Sequence, residues 1–289
     1  VYDSQAGLYR AYLRGFYGGR RAISYAETRD FAHWLPSRVI HHSLPTDAPD
    51  ESLYSNGYSR YPGCSELHLM FPAIYRQSED ITYGQLAVSQ DGVNWARLTG
   101  QALIPQGPPG APDGGMVYPE PELLRCPERG VMRLLCHCGP RYHNEWYNER
   151  LRTGETSYYC WAEWPEDRLA GVVAEATGSF TLPPQPCGDR LLANYRCQPD
   201  GWVKFELVDR LVWPPQPWPG IPGFRFEESI PLEGDATHAP VRWVTRDTTA
   251  EWKGRPVAIR VRLHRAKLFS VTTYGADEPW VREDPRYPV

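Results

Sequence analysis

The chain alternates apolar and polar residues with a period of two in many short segments. Such alternation is typical of strands that bury one face. No window of a dozen residues carries a helical stripe free of Gly or Pro. We therefore predict an all-β protein with little helix. The alternating segments are residues 8–16, 20–28, 66–75, 83–90, 131–138 and 157–164.

An internal repeat is the most informative feature of the sequence. Residues 26–34 align without gaps on residues 87–95, and both segments read A-x-[S/T]-x-D-x-x-x-W. The pattern predicts a turn in which the Asp and hydroxyl side chains bond turn amides while the Trp packs back against the strand pair. Asp30 and Asp91 are therefore expected to be structural. The spacing of 61 residues indicates one four-stranded blade of a β-propeller with long loops.

The repeat and the connectors predict the domain organisation. Segments rich in Pro and Gly separate the repeat-bearing regions, and the repeat does not recur in the shorter strands that follow residue 182. We predict propeller blades over residues 1–181 and an antiparallel β-sandwich over residues 182–289. The three expected blades cover residues 1–42, 53–106 and 114–180.

Charge and hydropathy exclude two classes of partner. The net charge is −4, the pI is near 6.1, and no run of basic residues is longer than Arg20-Arg21. This composition predicts no nucleic-acid partner. No stretch approaches the roughly 20 apolar residues that span a bilayer, so no membrane partner is predicted. The N-terminus has no apolar signal-peptide core, and a removed leader would leave no trace, so localisation stays open.

The cysteines predict no metal site. The seven Cys residues form no CxxC pair and have no metal-ligand spacing with His. We predict neither a metal ion nor a cofactor. The odd number of Cys residues and their apolar strand surroundings favour buried reduced thiols, which are typical of the cytoplasm.

Several segments together resemble the family of invertases, fructanases and arabinan-degrading enzymes. The resemblance implies a five-bladed propeller, followed in the fructan-cleaving branch by a β-sandwich, and a carbohydrate ligand. Three blades and a sandwich account for the whole chain, so it also implies that two further blades lie upstream of Val1 or come from another chain. The segments are VYDSQ, RRAISYAETRDFAHW, LYSNGYSRYPG, LAVSQDGVNW, LLANYRCQPDGWVKFELVD and RPVAIRVRLHRAKLFSV.

Glycoside cleavage needs two carboxyl groups that flank one bond. By the resemblance, Asp3 in the segment YDS occupies the place of an aspartate that holds sugar hydroxyls and tunes the acid. The alternative for Asp3 is a strand-capping role near a terminus. The segment MVYPEPELL resembles the Glu-bearing strand of the family, and a Glu between two prolines is held rigidly outside a regular ladder, so Glu120 is the predicted general acid. The alternative for Glu120 is a solvated turn acid.

The second blade supplies three candidate substrate-binding residues. Its first strand contains no acid, which departs from the catalytic members of the family. Asn56 and Arg60 are predicted to bind sugar hydroxyls or a uronate carboxylate. His68 is the third candidate, although a histidine in such a strand is more often a structural core residue.

The third blade and the loop after it supply the remaining candidates. Tyr118 lies on the strand that leads to Glu120. Arg141 and His143 are predicted to bind hydroxyls and Trp146 to stack on a sugar ring, because loops rich in such groups often carry function. Chance clustering in a chain rich in Trp and Tyr is the alternative.

Three functions are compatible with these features. The first is a glycoside hydrolase that acts on a poly- or oligosaccharide by carboxylate acid/base chemistry. The second is a catalytically silent carbohydrate-binding propeller and sandwich, which the missing acid of the second blade favours. The third is a scaffold whose propeller face binds protein.

Overall fold

The structure, a computed structural model, describes residues 1–4, 6–98, 100–145, 157–209 and 219–275. Nearly all of its regular elements are strands, so the predicted all-β class is confirmed. Two short 3₁₀ turns, Pro127–Arg129 and Ala250–Trp252, are the helical elements with assigned bounds in these ranges. Within them, no helix is long and apolar enough to cross a membrane.

The first sheet has four antiparallel strands in sequential order. Gly18 and Gly19 join the second strand to the third, and both have positive φ, at 56° and 79°. A two-residue hairpin turn of this kind needs φ above zero, which glycine adopts without strain. The sheet matches the first predicted blade. Its strands are β1 (Tyr2–Asp3), β2 (Leu8–Tyr17), β3 (Arg20–Thr28) and β4 (Arg38–His41).

The second predicted blade forms two sheets. A four-stranded sheet contains β6, β7, β10 and β11, and a three-stranded sheet contains β5, β8 and β9. Regular pairing stops between β7 and β8 at Phe71 and Pro72, because proline has no amide to donate. The strands are β5 (Glu51–Leu53), β6 (Tyr58–Tyr61), β7 (Cys64–Met70), β8 (Ala73–Arg76), β9 (Ile81–Gly84), β10 (Leu86–Ser89) and β11 (Ala96–Leu98).

The third sheet is centred on a long strand that pairs with three others. Its even-numbered residues from Met132 to Cys138 are buried, whereas the odd-numbered residues from Val131 to His137 are half-buried. This is the period-two pattern predicted for residues 131–138. The strands are β12 (Met116–Pro119), β13 (Leu124–Cys126), β14 (Val131–Gly139) and β15 (Tyr158–Pro165).

The second part of the chain forms an antiparallel sheet in which β16, β20, β18 and β19 are neighbours in that order and β17 also pairs with β20. Register shifts interrupt the long β18–β20 pair, and such bulges let a long pair bend around its own core. Trp243 is buried in that core and donates its indole N–H to the Phe205 carbonyl, 3.1 Å away. The strands are β16 (Val172–Thr181), β17 (Gln185–Pro186), β18 (Arg190–Val208), β19 (Asp235–Pro240) and β20 (Pro256–Tyr274).

The chain divides into two compact units, Val1–Glu163 and Trp164–Val289. The predicted division falls later, between residues 181 and 182, and assigns β16 to the third blade. In the structure β16 instead pairs with β20, with Val172 opposite Leu268 and Thr181 opposite Arg260. The sequence repeat ends before β16. The partner of β16, β20, lies far along the chain, so the sequence pattern does not reveal that these two strands pair.

The repeated turns have the predicted hydrogen bonds. In the first turn, Asp30 Oδ1 accepts the amides of Ala32 and His33 and the hydroxyl of Thr28. The Trp34 indole N–H donates to the Phe31 carbonyl, 3.1 Å away.

The second turn repeats this pattern. Asp91 Oδ1 accepts the amides of Val93 and Asn94 and the hydroxyl of Ser89, and the Trp95 indole donates to the Gly92 carbonyl. The structural role predicted for Asp30 and Asp91 is therefore confirmed.

Candidate functional site

Asp3 is a buried carboxylate held by two arginines. Its side chain is only 3% exposed. Arg10 Nη2 lies 2.7 Å from Asp3 Oδ2, and Arg60 Nη2 lies 3.0 Å from Asp3 Oδ1. The Ala6 amide also donates to Oδ1. Both carboxylate oxygens are thus engaged by charged partners.

Three strands from two sheets bring these groups together. Asp3 ends β1, Arg10 lies on the neighbouring β2, and Arg60 lies on β6 of the second sheet. Burial raises the pKa of Asp3, but the Ala6 amide and the two guanidinium groups outweigh it and hold that pKa below its usual range. Asp3 is therefore ionised at neutral pH and cannot act there as a proton donor.

His68 lies opposite Arg60 on the neighbouring strand and is 2% exposed. Its Nδ1 shares a 2.9 Å hydrogen bond with the Tyr58 hydroxyl. Burial, aided by Arg60 and Arg10, lowers the pKa of His68 to about 4. The imidazole is consequently neutral at physiological pH and packs as part of the core beside the arginines.

Arg10 also connects the first sheet to the second repeated turn. Arg10 Nη1 donates to the Asp91 carbonyl, and the Tyr12 hydroxyl donates to the Gly92 carbonyl, 2.9 Å away. A Cβ added to Gly92 would lie 2.3 Å from Arg10 Nη1. A side chain here would meet the end of Arg10 and would sit at a φ of 71°, so this close approach of the two sheets favours glycine.

A second group of side chains consists of Tyr54, Tyr75, Tyr118 and His143, which we call the aromatic cluster. The His143 ring centroid lies 4.9 Å from that of Tyr54 and 5.0 Å from that of Tyr75. The Tyr118 hydroxyl forms a short hydrogen bond with His143 Nδ1. The three tyrosines are half-buried and His143 is buried, so the tyrosine rings keep some exposed surface.

Two arginines of the first sheet lie over this cluster. The Arg21 guanidinium carbon is 4.3 Å from the centroid of the Tyr54 ring, and that of Arg14 is 5.5 Å away. Burial lowers the pKa of His143. The negative charge of Asp80 raises this pKa and the positive charge of Arg21 lowers it, and the net result is a pKa below the ordinary value. The cluster thus combines aromatic faces, a neutral imidazole and positive charge.

Asp80 fixes the loop that carries His143. Its carbonyl accepts the His143 amide, and its carboxylate accepts the backbone and side-chain N–H groups of Asn144. The Tyr75 hydroxyl donates to the same carboxylate, 2.9 Å away. Asp80 therefore holds in place both the loop that carries His143 and the Tyr75 ring of the aromatic cluster.

Glu120 follows Tyr118 at the point where β12 ends. Its amide donates to the Leu135 carbonyl, and its side chain is half-buried. Across the described ranges, the Glu120 carboxylate has no hydrogen bond or ion pair. Two residues further on, Glu122 has a φ of 73°, and its amide points to the Tyr58 carbonyl at 3.4 Å. The segment leads from the aromatic cluster towards the strand that carries Arg60.

The remaining candidates differ in their surroundings. The Asn56 side chain is hydrogen-bonded to backbone groups: its Nδ2 donates to the Tyr12 carbonyl, and its Oδ1 accepts the Tyr58 amide. Arg141 forms a 3.1 Å ion pair with Glu145. Trp146 lies outside the described residues.

The structure brings the predicted residues together as two groups, Asp3 and His68 with Arg60, and Tyr118 with His143. Sequence reasoning missed their neighbours. Arg10 and Tyr12 occupy alternate positions of β2, so they share one face of it with Arg14, and two arginines on one face of a strand are a signal that could have identified them. Tyr54 and Arg21 carried no such signal, because their contact joins two sheets.

No protein-family model and no curated protein matches the chain. Among solved structures, an N-acetylgalactosamine deacetylase from F. plautii in complex with blood group B trisaccharide is 14% identical, with a TM-score of 0.41 over 58% of this chain and 49% of that one. The chain therefore spans about half the length of that protein.

Two other solved structures belong to the group of invertases and fructanases that the sequence resembles. A GH32 β-fructofuranosidase from Bombyx mori is 9% identical, with a TM-score of 0.36 over 92% of this chain and 76% of that one. An exo-inulinase from Aspergillus awamori is 14% identical, with a TM-score of 0.33 over 82% and 50% of the two chains.

Proposed function

We propose that the N-terminal unit binds a poly- or oligosaccharide at the aromatic cluster and that Glu120 donates a proton to the leaving oxygen of a glycosidic bond. The observation that carries the proposal is the half-buried Glu120, whose carboxylate has no partner among the described residues and which lies two residues after Tyr118 of the aromatic cluster.

The aromatic cluster supplies the chemistry of sugar binding. Tyrosine rings offer flat apolar faces for the C–H side of a sugar ring and a hydroxyl for its edge. Arg21 and Arg14 lie over Tyr54 and carry several N–H donors in a fixed fork, which suits sugar hydroxyls and uronate carboxylates. The buried His143 imidazole holds the Tyr118 hydroxyl through their hydrogen bond and so orients that ring.

The segment around Glu120 supplies a rigid acid. Pro119 and Pro121 restrict the backbone on either side of it. Glu122 adopts a left-handed conformation, which is strained for a residue with a side chain and is often found near functional sites. A general acid must reach the leaving oxygen directly, and a carboxyl group held in an ion pair cannot do so as well.

One observation favours the silent carbohydrate-binding function as a second candidate. Hydrolysis needs a second carboxyl group that acts as base or nucleophile. Asp3, the other predicted catalytic carboxylate, is buried and bound by Arg10 and Arg60. In an enzyme, Asp3 would position these arginines, and a different carboxylate would have to act as base or nucleophile.

A screen of glycan fragments for both binding and hydrolysis tests the proposal. The chain is expected to bind at least one fragment, and Arg21→Ala is expected to weaken that binding. Hydrolysis of the bound fragment supports the enzyme, whereas binding without hydrolysis supports the silent candidate. Absence of binding to every fragment would exclude both.

A further inference from the structure

The three-stranded sheet of β5, β8 and β9 has two different faces. Cross-strand partners share a face, so Tyr75 and Thr82 lie together on one side, where Thr82 Oγ1 accepts the Val117 amide. Arg76, which pairs with both Glu51 and Ile81, lies on the other side. The aromatic cluster belongs to the first face through Tyr75, so the second face is a separate surface.

The second face borders a cleft of about 520 Å³. This volume lies within the range of sites that hold small molecules, roughly 300–1,000 Å³. Its polar wall includes Asp47, Glu51, Arg76, Tyr83, Gln85 and Gln106.

Two buried side chains of this wall have polar atoms without partners. Arg97 donates from Nη2 to Asp47 Oδ2 and from Nη1 to Gln85 Oε1, so one guanidinium holds both groups side by side. Gln85 is 2% exposed and the Asp47 side chain is 3% exposed. In the described parts of the chain, neither Asp47 Oδ1 nor Gln85 Nε2 forms a hydrogen bond. The cleft therefore presents a hydrogen-bond acceptor, Asp47 Oδ1, beside a hydrogen-bond donor, Gln85 Nε2.

The buried charges of the wall balance each other. Asp47 pairs with Arg97, and Glu51 accepts a 2.7 Å hydrogen bond from Arg76 and one of 2.6 Å from the Tyr83 hydroxyl. His41, which lies near Arg97, has a pKa lowered to about 4 by burial and by that arginine, so it is neutral. A charged ligand would meet no unpaired buried countercharge here.

We infer that this cleft binds a neutral sugar or other polyol through two adjacent hydroxyl groups. One hydroxyl donates to Asp47 Oδ1, and its neighbour accepts from Gln85 Nε2. Hydroxyls fit because each both donates and accepts, and because a neutral group leaves the two ion pairs undisturbed. The site is independent of the proposed glycan surface, which lies on the other face of the sheet.

NMR of the intact chain tests the inference through the δ1-methyl group of Ile81, which lines the cleft. The probes are the methyl glycosides of glucose, galactose, mannose and fructose, and cyclohexanol is the control without a second hydroxyl. At least one glycoside is expected to shift the Ile81 signal in a saturable manner, and cyclohexanol is not. A shift with none of the glycosides, or an equal shift with cyclohexanol, would overturn the inference.

Two variants make the test specific. Gln85→Glu keeps the acceptor for Arg97 but removes the donor, so affinity should fall about tenfold. Ala102→Trp fills the cleft from an exposed position, so it should abolish the shift of the Ile81 signal without affecting folding. This second variant keeps the test valid even if Gln85→Glu disturbs the buried contact between Arg97 and Asp47. Glu120→Gln should leave the shift unchanged, which separates this site from the proposed function. Unchanged affinity in Ala102→Trp would contradict the inference.

Discussion

Asp3 and Arg60 lie on different sheets of the N-terminal unit, and their side chains form a 3.0 Å ion pair. Arg10 binds the same carboxylate and also donates to the Asp91 carbonyl in the turn of the second sheet. These contacts tie the first sheet to the second at a buried position. The network stabilises the N-terminal unit whether or not it takes part in catalysis.

Asp3→Asn should destabilise the protein by about 3 kcal/mol, because it leaves two buried arginines without a countercharge. The midpoint of urea unfolding, followed by tryptophan fluorescence, measures the effect. Glu79→Gln is the matched control, since Glu79 is 53% exposed and its pair with Arg76 should contribute less than about 1 kcal/mol. Equal effects of the two substitutions would contradict the structural role of Asp3.

The same carboxylate predicts a dependence of stability on pH. The folded-state pKa of Asp3 lies below the ordinary value of 3.8, so the unfolded chain binds the proton more readily. The contribution of Asp3 is therefore complete above about pH 4 and is lost as the pH falls through the folded-state pKa. Urea midpoints measured from pH 5 down to pH 2 should decline less steeply in Asp3→Asn than in the natural protein.

His68 predicts a second decline, in a higher pH range. Its pKa is about 4 in the folded chain against an ordinary value of 6.5, so protons bind preferentially to the unfolded chain between these values. His68 alone should contribute a loss of stability on the order of 2 kcal/mol as the pH falls from 6.5 to 4.

His68→Gln should make this decline in urea midpoints less steep, because glutamine keeps an acceptor for the Tyr58 hydroxyl but does not titrate. Part of the decline should remain, because His41 also has a pKa lowered to about 4. His33→Gln is the control, since the His33 side chain is 89% exposed. A decline of the same steepness in His68→Gln would show that other groups cause it.

Gly92→Ala tests the contact between the second repeated turn and β2. The added Cβ would lie 2.3 Å from Arg10 Nη1 and would also occupy a φ of 71°, so both a clash and backbone strain are expected. Gly19→Ala separates the two effects, because Gly19 has a φ of 79° but no atom within 4 Å of its Cβ position. Thermal melting should show a loss of about 1 kcal/mol for Gly19→Ala and clearly more for Gly92→Ala. Similar losses would mean that the turn does not need its close approach to Arg10.

Local chemistry made part of this structure predictable. The alternation of residues 131–138 and the bonds of Asp30 and Asp91 follow from strand periodicity and turn geometry, which act over a few residues. The first four-stranded sheet was predictable for the same reason, since its strands are neighbours in sequence and in space.

Contacts between distant segments were not predictable in this way. Asp3 was singled out through a resemblance, but its enclosure by Arg10 and Arg60 depends on how two sheets meet. The pairing of β16 with β20 likewise depends on a strand far along the chain, so the sequence placed the boundary at residue 182. No local pattern specifies such pairings.

The most direct test of the central claim compares Glu120→Gln with Glu122→Gln on the best glycan fragment, by hydrolysis rate and by calorimetry. Glutamine keeps the shape of Glu120 but cannot donate the proton, so kcat should fall about 10²–10⁴-fold while affinity stays within about twofold. Glu122→Gln, an exposed neighbour, should retain both properties. Retained hydrolysis in Glu120→Gln would contradict the account and remove Glu120 from the mechanism.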